Sequence, residues 1–231
     1  MFATVTTPTT AAIDLPEIRR DSTYSLERAL WQRRSLREFG AAALTTEELA
    51  QLAWAAQGVV TRSGLRTTPS AGALYPLELY VAAGDVDDLA PGIYLYQPSS
   101  HRLASVVQID YRSVIARAAL DQRWLEQAAA ILVIAAVERR STGKYGERGV
   151  RYVYMEAGHA AQNVLLQATA LGLGATVVGA FSDSDLKAVL RLRRDARPVY
   201  LIPVGRPREG EHPHATKQGV RSRGNPAKAR I

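Results

Sequence analysis

The longest regular pattern of apolar residues lies between positions 153 and 171 and predicts a helix with one buried face. Apolar side chains recur there at three- and four-residue spacing, at Val153, Ala157, Ala160, Ala161, Val164, Leu165, Ala168 and Leu171. Gly172 and Gly174 mark the end of this helix. The apolar run 175–178 then predicts a buried strand, and Gly179 allows the backbone to approach a ligand closely. The pattern therefore predicts a central helix that leads into a strand ending at a ligand.

Shorter patterns predict the remaining helices and strands. The clearest is a helix over 45–57, in which Thr45 and Glu48 have the spacing of a capping box and Gly58 follows the last turn. Further elements are predicted as helices at 25–36, 111–119 and 185–190, strands at 79–83, 129–137 and 198–204, and a hairpin at 92–107. The helices and strands do not alternate regularly, and the sequence contains no internal repeat, no GxGxxG after a strand and no Walker loop. These observations favour an α+β fold without a Rossmann nucleotide site.

The chain of 231 residues is predicted to form one domain between two extensions. Residues 1–23 are rich in threonine and proline and predict an extended arm, of the kind that often wraps a partner subunit. Residues 24–206 are assigned to the domain and residues 207–231 to a basic tail, since positions 206–231 carry +5 of the formal net charge of +7. Such a tail is typically solvated and partly disordered, and the alternative is that part of it folds back onto an anionic cofactor.

Composition and charge distribution exclude several classes of function. No aromatic residue is interleaved with the basic residues of the tail, so we do not expect nucleic-acid binding. The absence of cysteine excludes disulfides, a thiolate nucleophile and cysteine-based metal sites, and the four histidines lack the spacing of metal ligands. Neither a signal peptide nor an apolar stretch long enough to span a bilayer is recognisable. We therefore expect a cytoplasmic protein with no metal site and no membrane partner.

Two stretches carry residues suited to binding an anionic ligand. Arg33, Arg34 and Arg37 surround Ser35, and guanidinium groups fork onto phosphate oxygens. The structural alternative is that these cations favour the dipole at the end of the predicted helix. The second stretch, PSAGALYPLE at 69–78, predicts an irregular loop before a strand because proline, glycine and small residues dominate it. This loop either exposes amides and a hydroxyl to a ligand or serves only as a connector.

A third stretch precedes the long helix and is charged and punctuated by glycine. Lys144 and Tyr145 are predicted to lie there on irregular backbone, which would let their adjacent side chains converge. The structural alternative is an exposed charged turn. Within the long helix, His159 is predicted to be a core or interface residue rather than a base, with Glu156 as its hydrogen-bond partner at a spacing of three residues.

Together these stretches resemble the FMN-dependent nitroreductase family. The resemblance rests on Arg33-Arg34-Ser35-x-Arg37-x-Phe39, on Pro69-Ser70 before a strand, and on the helix, Gly-Leu-Gly and strand that lead to Gly179. PSAGALYPLELYV (69–81) and KYGERGVRYVYMEAGHAAQN (144–163) resemble the SagB-type branch, which includes dehydrogenases that oxidise thiazolines and oxazolines of ribosomal peptides to thiazoles and oxazoles. The resemblance covers about residues 25–206 and implies a nitroreductase-like α+β fold. A central mixed β-sheet flanked by helices is expected, in a homodimer with FMN at the interface.

The resemblance also assigns candidate cofactor-binding residues. Arg33, Arg34 and Ser35 match the segment that holds the FMN phosphate. Arg37 matches the cation near the flavin pyrimidine, where reduction leaves negative charge. The loop that reaches the flavin of the partner subunit is matched by Pro69, Ser70 and Gly72. The strand end whose backbone amide approaches flavin N5 is matched by Val178, Gly179 and Ala180, and a late basic contact to the phosphate would come from Lys217, Arg221 or Arg223.

Lys144 and Tyr145 match a Lys-Tyr pair regarded as catalytic in the azoline-oxidising branch. Oxidation of an azoline requires a base, because a carbon-bound proton leaves while hydride passes to the flavin, and an ammonium group beside a phenol favours the phenolate. We therefore expect FMN-dependent dehydrogenation of azoline rings in a modified peptide. The alternatives are reduction of nitro compounds or quinones by a nicotinamide donor, and a flavin-binding subunit without turnover that serves a biosynthetic complex.

Overall fold

The computed structural model describes residues 12–210, and in this part of the chain one seven-stranded antiparallel sheet forms the centre. The strands, in chain order, are β1 Ala12–Asp14, β2 Leu77–Ala83, β3 Gly92–Gln97, β4 Arg102–Val107, β5 Ala130–Ala136, β6 Gly174–Ala175 and β7 Arg197–Gly205. Their order across the sheet is β1-β4-β3-β2-β5-β7-β6. The candidate residues Ser35 and Gly179 therefore lie near the β6 edge, where Ser35 pairs with Ala175 and Val178 with Leu201.

Six α-helices accompany the sheet in the described residues. They are α1 Leu26–Gln32, α2 Thr46–Gln57, α3 Arg112–Ala118, α4 Arg139–Tyr145, α5 Arg148–Ala170 and α6 Asp183–Val189. The capping box at Thr45 is confirmed: its hydroxyl accepts from the Glu48 N–H, and the Glu48 carboxylate accepts from the Thr45 N–H. Ser25 likewise caps α1. Local sequence thus determines where these two helices begin.

Two buried clusters of apolar side chains cover the two faces of the sheet. Alternate residues of β2 point to opposite sides, so that Leu79 and Val81 pack with α2 and α5, while Tyr80 and Ala82 pack with α3 and α6. The predicted stripe of α5 is confirmed as its buried face, apart from Leu171, which lies just beyond the helix and is partly buried. Alanines dominate this stripe, and small side chains allow close packing of α5 against α2.

The expected α+β fold is confirmed, but its sheet is antiparallel rather than mixed. Every pair of neighbouring named strands runs antiparallel, and parallel pairing in the described residues is limited to the isolated bridges Ser35–Ala175 and Leu44–Val86. A continuous apolar run such as 130–136 indicates that both faces of a strand are covered. It does not indicate the direction of the neighbouring strands, so that direction could not be predicted from the sequence.

Two further expectations differ in detail. Part of the predicted N-terminal arm, Ala12–Asp14, pairs with β4 of its own chain. The predicted strand over 175–178 is short, because regular pairing ends at Ala175 and resumes only at the single bridge of Val178. The tail residues Lys217, Arg221 and Arg223 lie outside the described residues. No helix between residues 12 and 210 has both the length and the apolar character needed to cross a bilayer.

Candidate active site

Lys144 and Tyr145 lie in the last turn of α4, where the sequence predicted irregular backbone. The prediction is wrong for these two residues, because Gly143 is accommodated inside the helix. The break falls one residue later, at Gly146, whose φ of 57° lies in the left-handed region that favours glycine. A new helix, α5, then starts at Arg148. The two candidate catalytic residues therefore stand at the end of one helix and directly before the next.

The side chains of Lys144 and Tyr145 converge over Gly72. A Cβ atom on Gly72 would lie 2.6 Å from Tyr145 Oη and 3.0 Å from Lys144 Nζ. Lys144 Nζ is 5.4 Å from the centroid of the Tyr145 ring, and Tyr152 packs edge-on against that ring with 5.2 Å between the centroids. The structure thus brings together three residues that the sequence selected from two distant stretches. A side chain at position 72 would require both polar ends to move.

The loop at 69–75 that carries Gly72 has an unusual backbone. Gly72, Ala73 and Tyr75 have φ angles of 62°, 52° and 46°, and the left-handed region is unfavourable for the two residues that carry a Cβ. Hydrogen bonds hold this shape: the Tyr75 N–H donates to Ser70 Oγ at 2.9 Å, and Arg140 Nη1 donates to the Tyr75 carbonyl at 3.2 Å. Backbone strain maintained in this way is common at functional sites.

A buried carboxyl group, that of Glu156, lies beneath the 69–75 loop. Glu156 is 3% exposed, and its Oε1 is buried without a hydrogen-bond partner among the described residues. Burial raises the pKa of Glu156 to about 7, although the hydroxyl of Ser70 and the guanidinium of Arg66 lower it in part. His159, by contrast, is exposed, so the expected pairing of these two residues in the core is wrong. The signal that identifies Glu156 is its position, three residues after Val153 and four before Ala160, on the buried stripe of α5.

The predicted phosphate-binding residues lie beyond the end of α1, on the β6 side of the sheet. The Leu36 N–H donates to the Ala175 carbonyl at 3.1 Å, which fixes Ser35 beside β6. Arg34 Nη1 donates to the carbonyls of Trp31 and Arg33, and the Arg37 guanidinium lies 6.0 Å from the centroid of the Trp124 ring. Within residues 12–210, none of the three arginines at 33, 34 and 37 forms an ion pair with a carboxylate. Cations without a carboxylate beside a serine hydroxyl fit a phosphate group.

Val178, Gly179 and Ala180 follow β6 at the same edge of the sheet. Val178 is buried and paired with Leu201, whereas Gly179 and Ala180 are exposed. A Cβ on Gly179 would meet only the Tyr200 ring, at an ordinary contact distance of 3.8 Å. The packing of the chain therefore does not require glycine at this position, and the exposed backbone there is open to a ligand.

The candidate residues thus form two groups, one at 33–37 with 178–180 and one at 69–75 with Lys144 and Tyr145. No hydrogen bond or ion pair joins the two groups in the part of the chain that the structure describes. A cavity of about 600 Å³ lies elsewhere, between residues 19–26 and helices α1, α2 and α5, and none of the predicted residues lines it. In the single chain, the candidate site is therefore recognised by side chains that converge and not by a cavity.

Comparison with known proteins gives the family of the chain and confirms the expected nitroreductase-like fold. A family model described as the nitroreductase family matches residues 30–206. The chain is 44% identical over 197 residues to "Putative nitroreductase MJ1384" of Methanocaldococcus jannaschii, which covers 85% of this chain and 97% of that protein. It is also 30% identical over 144 residues to the microcin B17-processing protein McbC of Escherichia coli, covering 60% of this chain but only 52% of McbC.

Two solved structures resemble the fold closely. The crystal structure of a "putative nitroreductase" from Ralstonia eutropha has a TM-score of 0.76 and 30% identity, and the match covers 87% of this chain and 92% of that one. A chain of the E. coli microcin synthetase McbBCD complex, with truncated pro-MccB17 bound, has a TM-score of 0.65 and 27% identity, covering 73% and 66% of the two chains.

Proposed function

The chain belongs to the nitroreductase family of oxidoreductases, and on this basis we propose that it uses FMN to dehydrogenate thiazoline or oxazoline rings of a modified peptide. The observation that carries the proposal is the convergence of Tyr145 Oη and Lys144 Nζ over Gly72. It provides a phenol and an ammonium group at one point, outside the segments at 33–37 and 178–180. The similarity to McbC, which processes microcin B17, supports the same class of substrate.

The proposed roles of Lys144 and Tyr145 follow from the chemistry of the reaction. An azoline becomes aromatic when one ring carbon loses a proton and another position loses a hydride. FMN, when bound, supplies the hydride acceptor. Tyr145 Oη is the group that takes the carbon-bound proton, and Lys144 Nζ is the charged group beside it. Both polar ends must be held at one place for this, which is what the missing Cβ of Gly72 allows.

The residues that would hold FMN are those of the 33–37 segment and of the strand end at 178–180. Arg33, Arg34 and Ser35 would bind the phosphate, and Arg37 would lie near the pyrimidine edge. The 69–75 loop, with Pro69, Ser70 and Gly72, would then complete a site whose other half belongs to the second protomer of a homodimer. The separation of the two groups within one chain supports this division.

An exposed apolar surface on α1 and α5 supports the homodimer. Leu26, Leu30 and Trp31 of α1 are all more than half exposed, and Trp31 reaches 78%. Tyr154 and Met155 of α5 are also exposed, 43% and 52%. Exposed apolar residues of this size are often found at interfaces. A biosynthetic complex, like the one that contains the McbC-type chain, is a further partner we propose.

The second candidate function is reduction of nitro compounds or quinones by NADH or NADPH. It is favoured by one observation, the 44% identity to a relative named as a nitroreductase along 97% of that relative's length. The third candidate, a flavin-binding subunit without turnover, remains as an alternative outcome of the experiment below. Membership of the family specifies the reaction type more closely than the substrate.

The first experiment is an absorption spectrum of the purified protein, followed by release and identification of the chromophore. We expect flavin bands and released FMN at close to one molecule per chain. The loaded protein is then given an azoline-containing peptide with oxygen, or a nitro compound with NADPH. Conversion of the peptide supports the proposal, and fast nitro reduction with no peptide conversion supports the second candidate. A colourless protein that fails to take up added FMN contradicts both.

Replacement of Gly72 by alanine is expected to lower the rate of peptide dehydrogenation by about 100-fold. The new Cβ displaces Tyr145 Oη and Lys144 Nζ, and a displacement of about 1 Å in a catalytic group has an effect of this size. The measurement is kcat with the azoline peptide. Gly143→Ala is the matched control, because a Cβ there meets nothing within 4 Å and lies inside α4, so activity is retained. Equal rates for both variants would contradict the assignment of Gly72.

A further inference from the structure

We propose that Arg140 is a positioning residue of the candidate active site, which clamps helix α4 to the 69–75 loop and so keeps Lys144 and Tyr145 over Gly72. The inference rests on the proposed function for its catalytic consequence, because it concerns the same site. Its structural part is independent of any cofactor or substrate: the Arg140 side chain joins the helix that carries the candidate pair to the loop beneath that pair.

The guanidinium group of Arg140 makes two hydrogen bonds at once. Nη1 donates to the Tyr75 carbonyl at 3.2 Å, and Nη2 donates to Glu78 Oε1 at 2.5 Å. The first acceptor belongs to the last residue of the loop, and the second lies near the start of β2, which follows it. Because the guanidinium group is planar and rigid, this fork of donors fixes its position relative to both acceptors. Arg140 therefore sets the distance between α4 and this end of the loop.

Glu78 is a fixed point for this contact. Its side chain is 11% exposed and that of Arg140 is 30% exposed, so solvent screens the ion pair less than it would on the open surface. Tyr80 Oη donates to the other carboxylate oxygen, Oε2, at 3.4 Å, and Arg193 Nη1 lies 3.5 Å from Oε1. Strand β2 itself is paired on both sides, with β3 and β5. The clamp thus ties α4 to the centre of the sheet as well as to the loop.

Tyr75 is the residue at which the loop needs support. Its φ of 46° lies in the left-handed region, which is unfavourable for a residue with a Cβ. Its N–H donates to Ser70 Oγ at 2.9 Å, and its carbonyl accepts from Arg140, so both of its backbone polar groups are held. Gly72 lies between Ser70 and Tyr75. Loss of the bond from Arg140 would let the strained backbone relax, and Gly72 would move with it.

Arg140 and Lys144 lie four residues apart on α4 and therefore on the same face of the helix. That face meets the loop at two places, with Arg140 at Tyr75 and the candidate pair at Gly72. The helix has only seven residues, and helices of this length depend on tertiary contacts for their stability. The contact of Arg140 therefore fixes the orientation of α4 in which Lys144 Nζ and Tyr145 Oη converge.

Hydrogen–deuterium exchange of the Tyr75 amide, followed in overlapping peptides of the purified protein, tests the clamp. Arg140→Met removes both donors, whereas Arg140→Lys keeps the charge but not the fork. We expect exchange about tenfold faster than in wild type in both variants, the effect of losing one hydrogen bond of the loop. Unchanged exchange in Arg140→Met would overturn the proposal whatever the activity of the protein.

Arg139→Met is the matched control for the exchange measurement. Arg139 precedes Arg140 in α4, but its ion pair is with Asp195, which keeps a second partner in Arg193. We therefore expect the Tyr75 amide to exchange in this variant as it does in wild type. Equal acceleration in Arg139→Met and Arg140→Met would overturn the proposal, because the effect would then be general to the helix.

Kinetics of the flavin-loaded protein test the catalytic consequence. We expect Arg140→Lys to lower kcat with the azoline peptide about tenfold, with KM and flavin content unchanged, and Arg139→Met to retain the wild-type kcat. Since lysine retains the positive charge, a loss in Arg140→Lys comes from the position of the reacting groups and not from a missing cation. A wild-type kcat in Arg140→Lys, or a change confined to KM, would overturn the positioning role.

A double-mutant cycle with Gly72→Ala tests the route by which Arg140 acts. The alanine already displaces Tyr145 Oη and Lys144 Nζ, so Arg140→Lys should cause no further loss of kcat in that background. An equal loss in both backgrounds would overturn positioning through the loop. If wild type neither binds FMN nor turns over, the proposed function fails, and the exchange measurement still decides whether Arg140 clamps the loop.

Discussion

Replacing Lys144 by alanine, or Tyr145 by phenylalanine, is expected to lower the rate of azoline dehydrogenation by about 100-fold or more, with FMN still bound. General acid–base catalysis contributes about 100- to 10,000-fold to such reactions, and removal of the phenol or of the ammonium that supports it forfeits this contribution. FMN is retained because neither residue belongs to the segments at 33–37 and 178–180 that would hold it. The measurement is kcat with the peptide, together with the flavin absorbance of each variant.

Two neighbouring substitutions are matched controls for these variants. Tyr152→Phe keeps the ring that packs edge-on against Tyr145 and removes only a hydroxyl, and Arg148→Ala removes an exposed cation at the start of α5. Both are expected to retain most of the wild-type rate. If Lys144→Ala and Tyr145→Phe behave like these controls in peptide oxidation, the pair is part of an exposed turn and has no catalytic role. If Lys144→Ala and Tyr145→Phe also leave the rate of nitro reduction unchanged, the second candidate function gains support.

The second large effect concerns stability: Glu156→Gln is expected to stabilise the protein increasingly as the pH rises from about 5 to about 8. Burial raises the pKa of Glu156 from 4.5 to about 7, so the folded state binds this proton more tightly than the unfolded state. Between these two values the unfolded carboxyl is ionised and the folded one is protonated. The free energy of unfolding of wild type therefore falls as the pH rises through this range, and the full penalty applies above about 7.

The size of this effect is roughly 3 kcal/mol, from about 1.4 kcal/mol for each unit of pKa difference. Glutamine does not titrate, so the difference in free energy of unfolding between Glu156→Gln and wild type isolates the carboxyl from other groups. It is measured by denaturant unfolding at several pH values. Glu126→Gln, at an exposed position, is the control, and its difference should stay within about 0.5 kcal/mol throughout. A difference that is independent of pH at position 156 would refute the assigned cause.

Features encoded by neighbouring residues could be predicted from the sequence. The start of α2 needs only Thr45 and Glu48, and the buried face of α5 follows from a spacing of three and four residues. The loop at 69–78 was predicted as irregular because proline and glycine restrict the backbone there. In each case the interaction that determines the structure lies within one turn or one element.

Features that depend on distant partners could not be predicted in the same way. The left-handed conformations of Ala73 and Tyr75 are imposed by Ser70, Arg66 and Arg140, and no local rule assigns them. Lys144 is helical although Gly143 beside it has a weak helix propensity. The packing of α4 against α5 outweighs that propensity. The burial of Glu156 likewise depends on α5 lying under the loop.

The strained loop sets a trade-off for anyone who engineers this protein for heat resistance. A left-handed conformation costs a residue with a Cβ roughly 1–2 kcal/mol, so glycine at position 73 or 75 would relax the backbone. Selection for a higher melting temperature alone would therefore favour substitutions in the loop that supports the Lys144 and Tyr145 side chains. Libraries designed to raise the melting temperature should leave residues 69–76 unchanged. Their stabilising substitutions should be placed on the other face of the sheet, at α3 and α6.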